Sequence, residues 1–166
     1  MTSLVDIKKG QKTSKRRFIL HIIAVSILSI LVIGGLVASL LLSKLNYTWN
    51  LILNIVAGGL YIIFMVFYFI NIFPIVHHYY SLFKNINEVS IEKRRHLTYV
   101  GEIDNRTVSN VVYRVLQFSY KEGENEYVDN LFVLDNDYQF IINKAYKIAT
   151  YRNIIIRCEE ISDAKV

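Results

Sequence analysis

Residues Phe18–Leu42 read FILHIIAVSILSILVIGGLVASLLL, a run of 25 residues without an Asp, Glu, Lys or Arg, and they decide the architecture. As a helix the run would be about 37 Å long, beyond the ~30 Å hydrocarbon core of a bilayer. A second run, Leu51–Val76, is equally free of formal charge and is broken only by Asn54, Asn71 and Pro74. Burying two such helices in a water-soluble protein needs a large protein around them, which 166 residues do not supply. The first run is also too long for a secretory h-region of about 7–15 residues and ends without a small-residue cleavage site. It reads as an uncleaved anchor. The expected organisation is a basic arm over 1–17 and a two-helix transmembrane hairpin over 18–76. A short external loop is expected at 43–50.

The flanks set the direction. Six basic residues precede the first run (Lys8, Lys9, Lys12, Lys15, Arg16, Arg17), one lies in the loop (Lys44), and four follow the second (Lys84, Lys93, Arg94, Arg95). Cytoplasmic flanks carry the excess of Lys and Arg, so both termini are expected in the cytoplasm of a multi-pass cell-membrane protein. Tyr47 and Trp49 suit an interfacial loop. About eight residues then face outward, which excludes a large extracellular ligand. The six cations of the arm are expected to favour anionic membrane lipids, mainly as a topological anchor.

Gly34 and Gly35 lie eight and seven residues before Leu42, and Gly58 and Gly59 lie seven and eight after Leu51. An antiparallel hairpin puts the pairs at nearly one depth. With Ala38 they form a candidate close-packing face, between the two helices or between copies of the chain. Pro74 is expected to end or kink the second helix. Beyond it Ile75, Tyr79, Leu82, Phe83, Ile86 and Val89 recur at steps of three and four, which predicts an amphipathic linker helix within 77–96. His77 and His78 are adjacent and cannot share a metal as an i, i+4 pair would; they and His21 read as interfacial histidines.

From Leu97 the period becomes two. Strands are expected at 97–103, 108–120, 126–134, 138–142, 146–151 and 154–161, with turns at Gly123, Asn143-Lys144 and Arg152-Asn153. About six short strands in roughly 70 residues predict a small all-β cytoplasmic domain over 97–166, an SH3-like or OB-like antiparallel barrel. An open two-layer sheet is the alternative. Eight basic and eleven acidic residues lie between Leu97 and Val166, a balance of −3, so the sequence pI of 9.2 comes from the membrane flanks. A phosphate backbone needs a positive groove, so nucleic acid is not an expected partner.

Chemistry is sparse. Cys158 is the single cysteine and falls on the strand face of Ile154 and Ile156, where a buried inert thiol is expected. Gly101 and Gly123 stand alone and build no phosphate loop, and Asp129, Asp135 and Asp137 lack the glycine and closing glutamate of a calcium loop. No catalytic residue, cofactor or metal is expected. The abundance of Ile, Asn, Lys and Tyr, 60 of 166 residues, is the bias of an AT-rich bacterial coding sequence. The expectation is a membrane accessory, regulatory or scaffold protein that offers its β-domain to a protein partner or to further copies of itself. Tyr113, Phe118 and Tyr127 are the candidate contact residues. A membrane immunity protein against a toxin or bacteriocin is the alternative.

Overall fold

The computed structural model describes residues 2–42, 47–134 and 138–161. Half of the expected external loop, 43–46, and the acidic residues Asp135 and Asp137 lie outside that set. The other half, 47–50 with Trp49, is the first turn of a helix instead of loop. The chain forms two compact units, Lys12–Tyr80 and Met1–Gln11 with Ser81–Val166.

The first unit is helical. Helix α1 (Ile7–Leu42) and helix α2 (Tyr47–Phe67) are both apolar, and α2 runs on through a π-helical turn (Tyr68–Ile72) into helix α3 (Phe73–Asn85). Two helices are therefore long and apolar enough to cross a membrane, Ile7–Leu41 and Tyr47–Asn85. Within the unit, Phe18, His21, Val25, Ser29, Val32, Leu36 and Ser39 of α1 are half-buried between exposed neighbours. On the second helix Asn54, Gly58, Tyr61 and Met65 are half-buried and Tyr68 is buried. Steps of three and four on both helices are those of two helices packed along a single seam.

Three polar rungs bridge that seam. Asn54 Nδ2 donates to Ser39 Oγ at 3.2 Å, Tyr61 Oη donates to Ser29 Oγ at 2.5 Å, and Tyr68 Oη lies 3.4 Å from His21 Nδ1. The residues on the second helix stand seven apart, two turns, so each returns to the same face. At its end the Phe18 ring stacks on Tyr80 with centroids 4.3 Å apart. Pro74 does not end the second helix. Proline lacks the N–H that would bond the carbonyl four residues back, and the wide turn at Tyr68–Ile72 absorbs the mismatch. Phe73 N–H bonds Tyr68 O across it, and Asn71 Nδ2 donates to Phe67 O at 3.0 Å.

The second unit is a closed five-stranded barrel with one added strand. Its strands are β1 (Thr2–Ser3), β2 (Glu92–Val108), β3 (Val111–Glu122), β4 (Asn125–Leu134), β5 (Ala145–Tyr151) and β6 (Ile154–Glu160). The barrel closes in the order β2-β3-β4-β6-β5 and back to β2, with β1 on the far side of β6. All pairs are antiparallel except β4–β6, which is parallel. A small closed barrel of SH3-like or OB-like type fits this order, with the one parallel pair as the departure from the antiparallel barrel expected. Strand β2 closes the ring by serving two neighbours, β5 from Glu92 to Thr98 and β3 from Thr98 to Val108. Register shifts at Arg94/Leu97, Tyr99/Gly101 and Glu102/Asp104 bend it between them.

The core holds Leu97, Leu116, Leu131, Val133, Ile148 and Ile155, with an aromatic group of Tyr99, Phe118 and Tyr146. Phe140 completes the group, its ring centroid 5.5 Å from Tyr99, 5.6 Å from Phe118 and 5.1 Å from Tyr146. Arg114, which interrupts the apolar face of β3, is held in a bidentate pair by Glu102 (Nη2 to Oε2 2.7 Å). Thr150 Oγ1 is buried with no hydrogen-bond partner among the described residues. Thr150→Val keeps the branched shape and removes that hydroxyl, so it is expected to stabilise the domain by about 1 kcal/mol in a thermal or chemical melt.

Several expectations change. The segment expected as a strand at 138–142 is an irregular strap: Tyr138 and Phe140 turn into the core, and Ile141 N–H donates to Tyr146 Oη at 2.9 Å. The sixth strand is β1, from the arm. The linker helix stops at Asn85, and a short 3₁₀ turn (Glu88–Ser90) capped by Asn87 leads into β2 at Glu92. Val89 therefore leaves the apolar stripe and is 96% exposed. The expected strand from Val108 is split by a two-residue turn, Ser109-Asn110, both with positive φ. Cys158 shares the core with Ile155 instead of Ile154 and Ile156. A register shift between Ala149 and Thr150 leaves Ile156 unpaired with β5 and inverts the alternation.

Candidate functional site

The most elaborated local structure is the attachment of the N-terminal segment to the barrel, entirely within the second unit. The bulge at Ile156 offers its carbonyl to two donors, Leu4 N–H at 3.0 Å and Val5 N–H at 3.2 Å. Thr2 and Ser3 pair with Cys158 and Arg157, and Leu4 packs on the core. Asp6 then starts α1: its carboxylate accepts from Lys9 N–H at 3.0 Å and its carbonyl from Gly10 N–H at 2.8 Å, the contacts of an N-cap.

One turn on, α1 meets the end of α3. A Cβ on Gly10 would lie 2.2 Å from Phe83 Cε1, so only glycine fits there. Gln11 Nε2 donates to two carbonyls, Phe83 O at 3.1 Å and Ile86 O at 2.9 Å. These are carbonyls at a helix end that lack intrahelical donors. Leu82, Phe83, Ile86 and Ile91 are buried. Beside them an open cleft of about 500 Å³ is lined by Ser3, Val5, Asp6, Lys8, Glu88 and Arg157, among others.

Arg157 spans the cleft's rim to Glu88, with Nη2–Oε1 2.6 Å and Nη1–Oε2 3.4 Å. The hydrogen bonds from Arg157, then its charge, hold the Glu88 carboxyl below its ordinary range. A lowered folded-state value means the contribution is complete above the unfolded value of about 4.3 and is lost as pH falls through the folded one. Both groups are solvent-accessible, so the effect is small. Glu88→Gln is expected to lower the Tm slightly at pH 7 and to leave it equal to the parent in strong acid, checked by paired thermal scans.

The residues singled out in sequence fall in different places. Lys8 and Lys9 sit in the first turn of α1 and belong to the barrel unit, whereas Lys12, Lys15, Arg16 and Arg17 belong to the helical unit; all six are exposed. Of the four glycines only Gly58 lies on the seam, opposite Leu36, and none is in tight contact with the other helix. A Cβ on Gly34, Gly35 or Gly59 would meet nothing within 4 Å, and one on Gly58 would meet only Leu36 at 3.9 Å. Gly34, Gly35 and Ala38 lie on the exposed side of α1, because the helices pack through the polar rungs and the residues between them. Among the aromatics, Phe118 and Tyr113 are buried and unavailable to a partner; Tyr127 is 44% exposed and stacks on Tyr120.

Asp6, Gly10 and Gln11 are the residues that sequence reading missed. An Asp just before the first helical residue is a recognisable N-cap signal, and it was hidden in a segment read as a charged arm. Burial pushes the Cys158 thiol up, so it stays protonated at neutral pH. Among the described residues no group of three His, Cys, Asp or Glu is placed to hold a metal ion. The arrangement holds and positions two chain segments. Comparison with protein-family models, curated proteins and solved structures finds no match to this chain.

Proposed function

We propose that the chain is an integral membrane protein whose two apolar helices cross the bilayer and hold the barrel in the cytoplasm for contact with a protein partner. The observation that carries this is the pairing of β1 with β6. The two ends of the chain share hydrogen bonds, so a membrane crossed by the intervening helices must be crossed an even number of times. The count of basic flanks, six, one and four, then favours the cytoplasm for that shared side. The outward faces of the helices support a lipid neighbour: Ile30, Leu31, Leu41, Leu53, Ile55 and Ile63 are all strongly exposed, an apolar surface far beyond the patches of soluble proteins.

Thiol labelling in intact cells tests the orientation. In a Cys158→Ser background, Trp49→Cys is expected to react with a membrane-impermeant maleimide from outside, and Glu124→Cys only after permeabilisation. Labelling of Glu124→Cys in sealed cells would overturn the orientation.

A further inference from the structure

Among the described residues, β4 is paired with β3 along its whole length, but its other side is bridged only at Phe132, to Ile154. Phe132 N–H donates to Asn153 O at 2.8 Å, and beyond that point β6 pairs with β1 instead. The segment 125–130 therefore presents one row of backbone groups, the N–H and C=O of Glu126, Val128 and Asn130, to solvent. Six residues span roughly 20 Å, enough for an added strand of five or six residues. Tyr127 and Val128, which point to opposite faces, are 44% and 53% exposed and offer an apolar contact on each face.

The charge on this edge selects the occupant. Between Lys121 and Asn130 stand Glu122, Glu124, Glu126 and Asp129 against Lys121 alone. Arg94 holds Asp129. Among the described residues, no ion pair forms at Glu122, Glu124 or Glu126. A second copy pairing antiparallel about Val128 would set Tyr127 against Asp129 and Glu126 against Asn130, doubling the negative charge of one ribbon. That disfavours self-association through this edge. We propose that the free edge of β4 takes up an extended segment of a partner protein as an added strand, with Lys or Arg beside Glu124 and Glu126 and an apolar residue beside Tyr127. This rests on the interaction reading above and names its surface and its partner's chemistry.

The test uses the full-length chain in lipid nanodiscs with three acetylated hexapeptides as probes: KVKVKV, the same peptide N-methylated at alternate residues, and EVEVEV. KVKVKV is expected to slow amide exchange at Glu126, Val128 and Asn130 at least tenfold, while the other two leave it unchanged. Protection that survives N-methylation, or none with KVKVKV, would overturn strand addition. In the Glu124→Lys/Glu126→Lys double variant the preference is expected to pass from KVKVKV to EVEVEV, and an unchanged preference would overturn the electrostatic selection. In cells, a photo-crosslinking residue is placed at Tyr127 or at Ile142, an exposed position on the strap. Adducts at Tyr127 are expected to map to a partner segment carrying two or more Lys or Arg within six residues. Adducts only at Ile142 would overturn the edge and leave the interaction reading standing. Adducts at neither would overturn that reading as well.

Discussion

Phe118→Ala is expected to cost the barrel about 3–5 kcal/mol, the range for deleting a buried aromatic ring. The side chain is fully buried, and its ring meets Tyr99 (centroids 5.4 Å), Phe140 (5.6 Å) and Tyr146 (6.5 Å). Three of these rings come from strands far apart in sequence and the fourth from the strap, so one truncation loosens β2, β3, β5 and the strap together. A domain stable by some 5–15 kcal/mol would lose much of its margin. Denaturant titration of the full-length protein in micelles reads the loss directly. Tyr127→Ala, on the exposed edge, is expected to stay within about 0.5 kcal/mol of the parent. A loss under about 1 kcal/mol for Phe118→Ala would mean that the ring cluster is not packed as described.

Gly10→Ala offers a test that turns on sign. In an exposed helix interior, replacing glycine by alanine stabilises by about 1 kcal/mol. Here the new methyl group would stand 2.2–2.7 Å from three atoms of the Phe83 ring. That ring is buried, and the carbonyl of the same residue is held by Gln11, so neither gives way easily. Overpacking of this kind costs about 1–3 kcal/mol, so the net change is expected to be a loss. Removing the ring should restore the ordinary sign: in a Phe83→Ala background, Gly10→Ala is expected to stabilise. A double-mutant cycle on thermal melts measures the coupling, and a Gly10→Ala that stabilises the parent would disprove the close contact.

Both positions bear on what could be read without coordinates. The two apolar runs and strands β3 to β6 were legible because each carries a local signature: uninterrupted hydrophobicity, period-two alternation, or a turn residue. Gly123 and the Arg152-Asn153 pair do adopt the positive φ angles that their turns require. Ser109-Asn110 escaped because apolar residues flank it closely on both sides, and the run reads through it. Residues 138–142 mimic a strand because Tyr138 and Phe140 alternate, although their rings plug the core from an irregular backbone. The bulge at Ile156 is invisible locally, since Ile154, Ile155 and Ile156 are equally apolar in either register.

The glycines illustrate a second limit. Gly34, Gly35, Gly58 and Gly59 have the spacing of a close helix contact, yet of the four only Gly58 shares the seam with Asn54, Tyr61 and Tyr68, and of those three Asn54 alone interrupts the apolar run. The glycine with a steric task is Gly10, in a polar arm where no pattern marks it. Its partner is more than 70 residues away, and only the fold brings the two together.

Strand β1 also dictates an order of events during synthesis. Thr2 leaves the ribosome before the two apolar helices, and its partner Cys158 after them. The sheet therefore stays incomplete until both apolar helices have emerged, and the pairing is of the slow, long-range kind that pays loop closure before any reward. If the two helices cross a bilayer as proposed, a chain that left residues 2–5 on the side opposite the barrel could finish the ring but never its outer strand. Leu4 and Val5 would then leave the Ile156 carbonyl without its donors, and Gly10 and Gln11 could not reach the end of α3. On that proposal a correctly inserted chain and a misinserted one would differ in a folded, protease-readable feature, the attached or unattached β1, a built-in record of whether insertion succeeded.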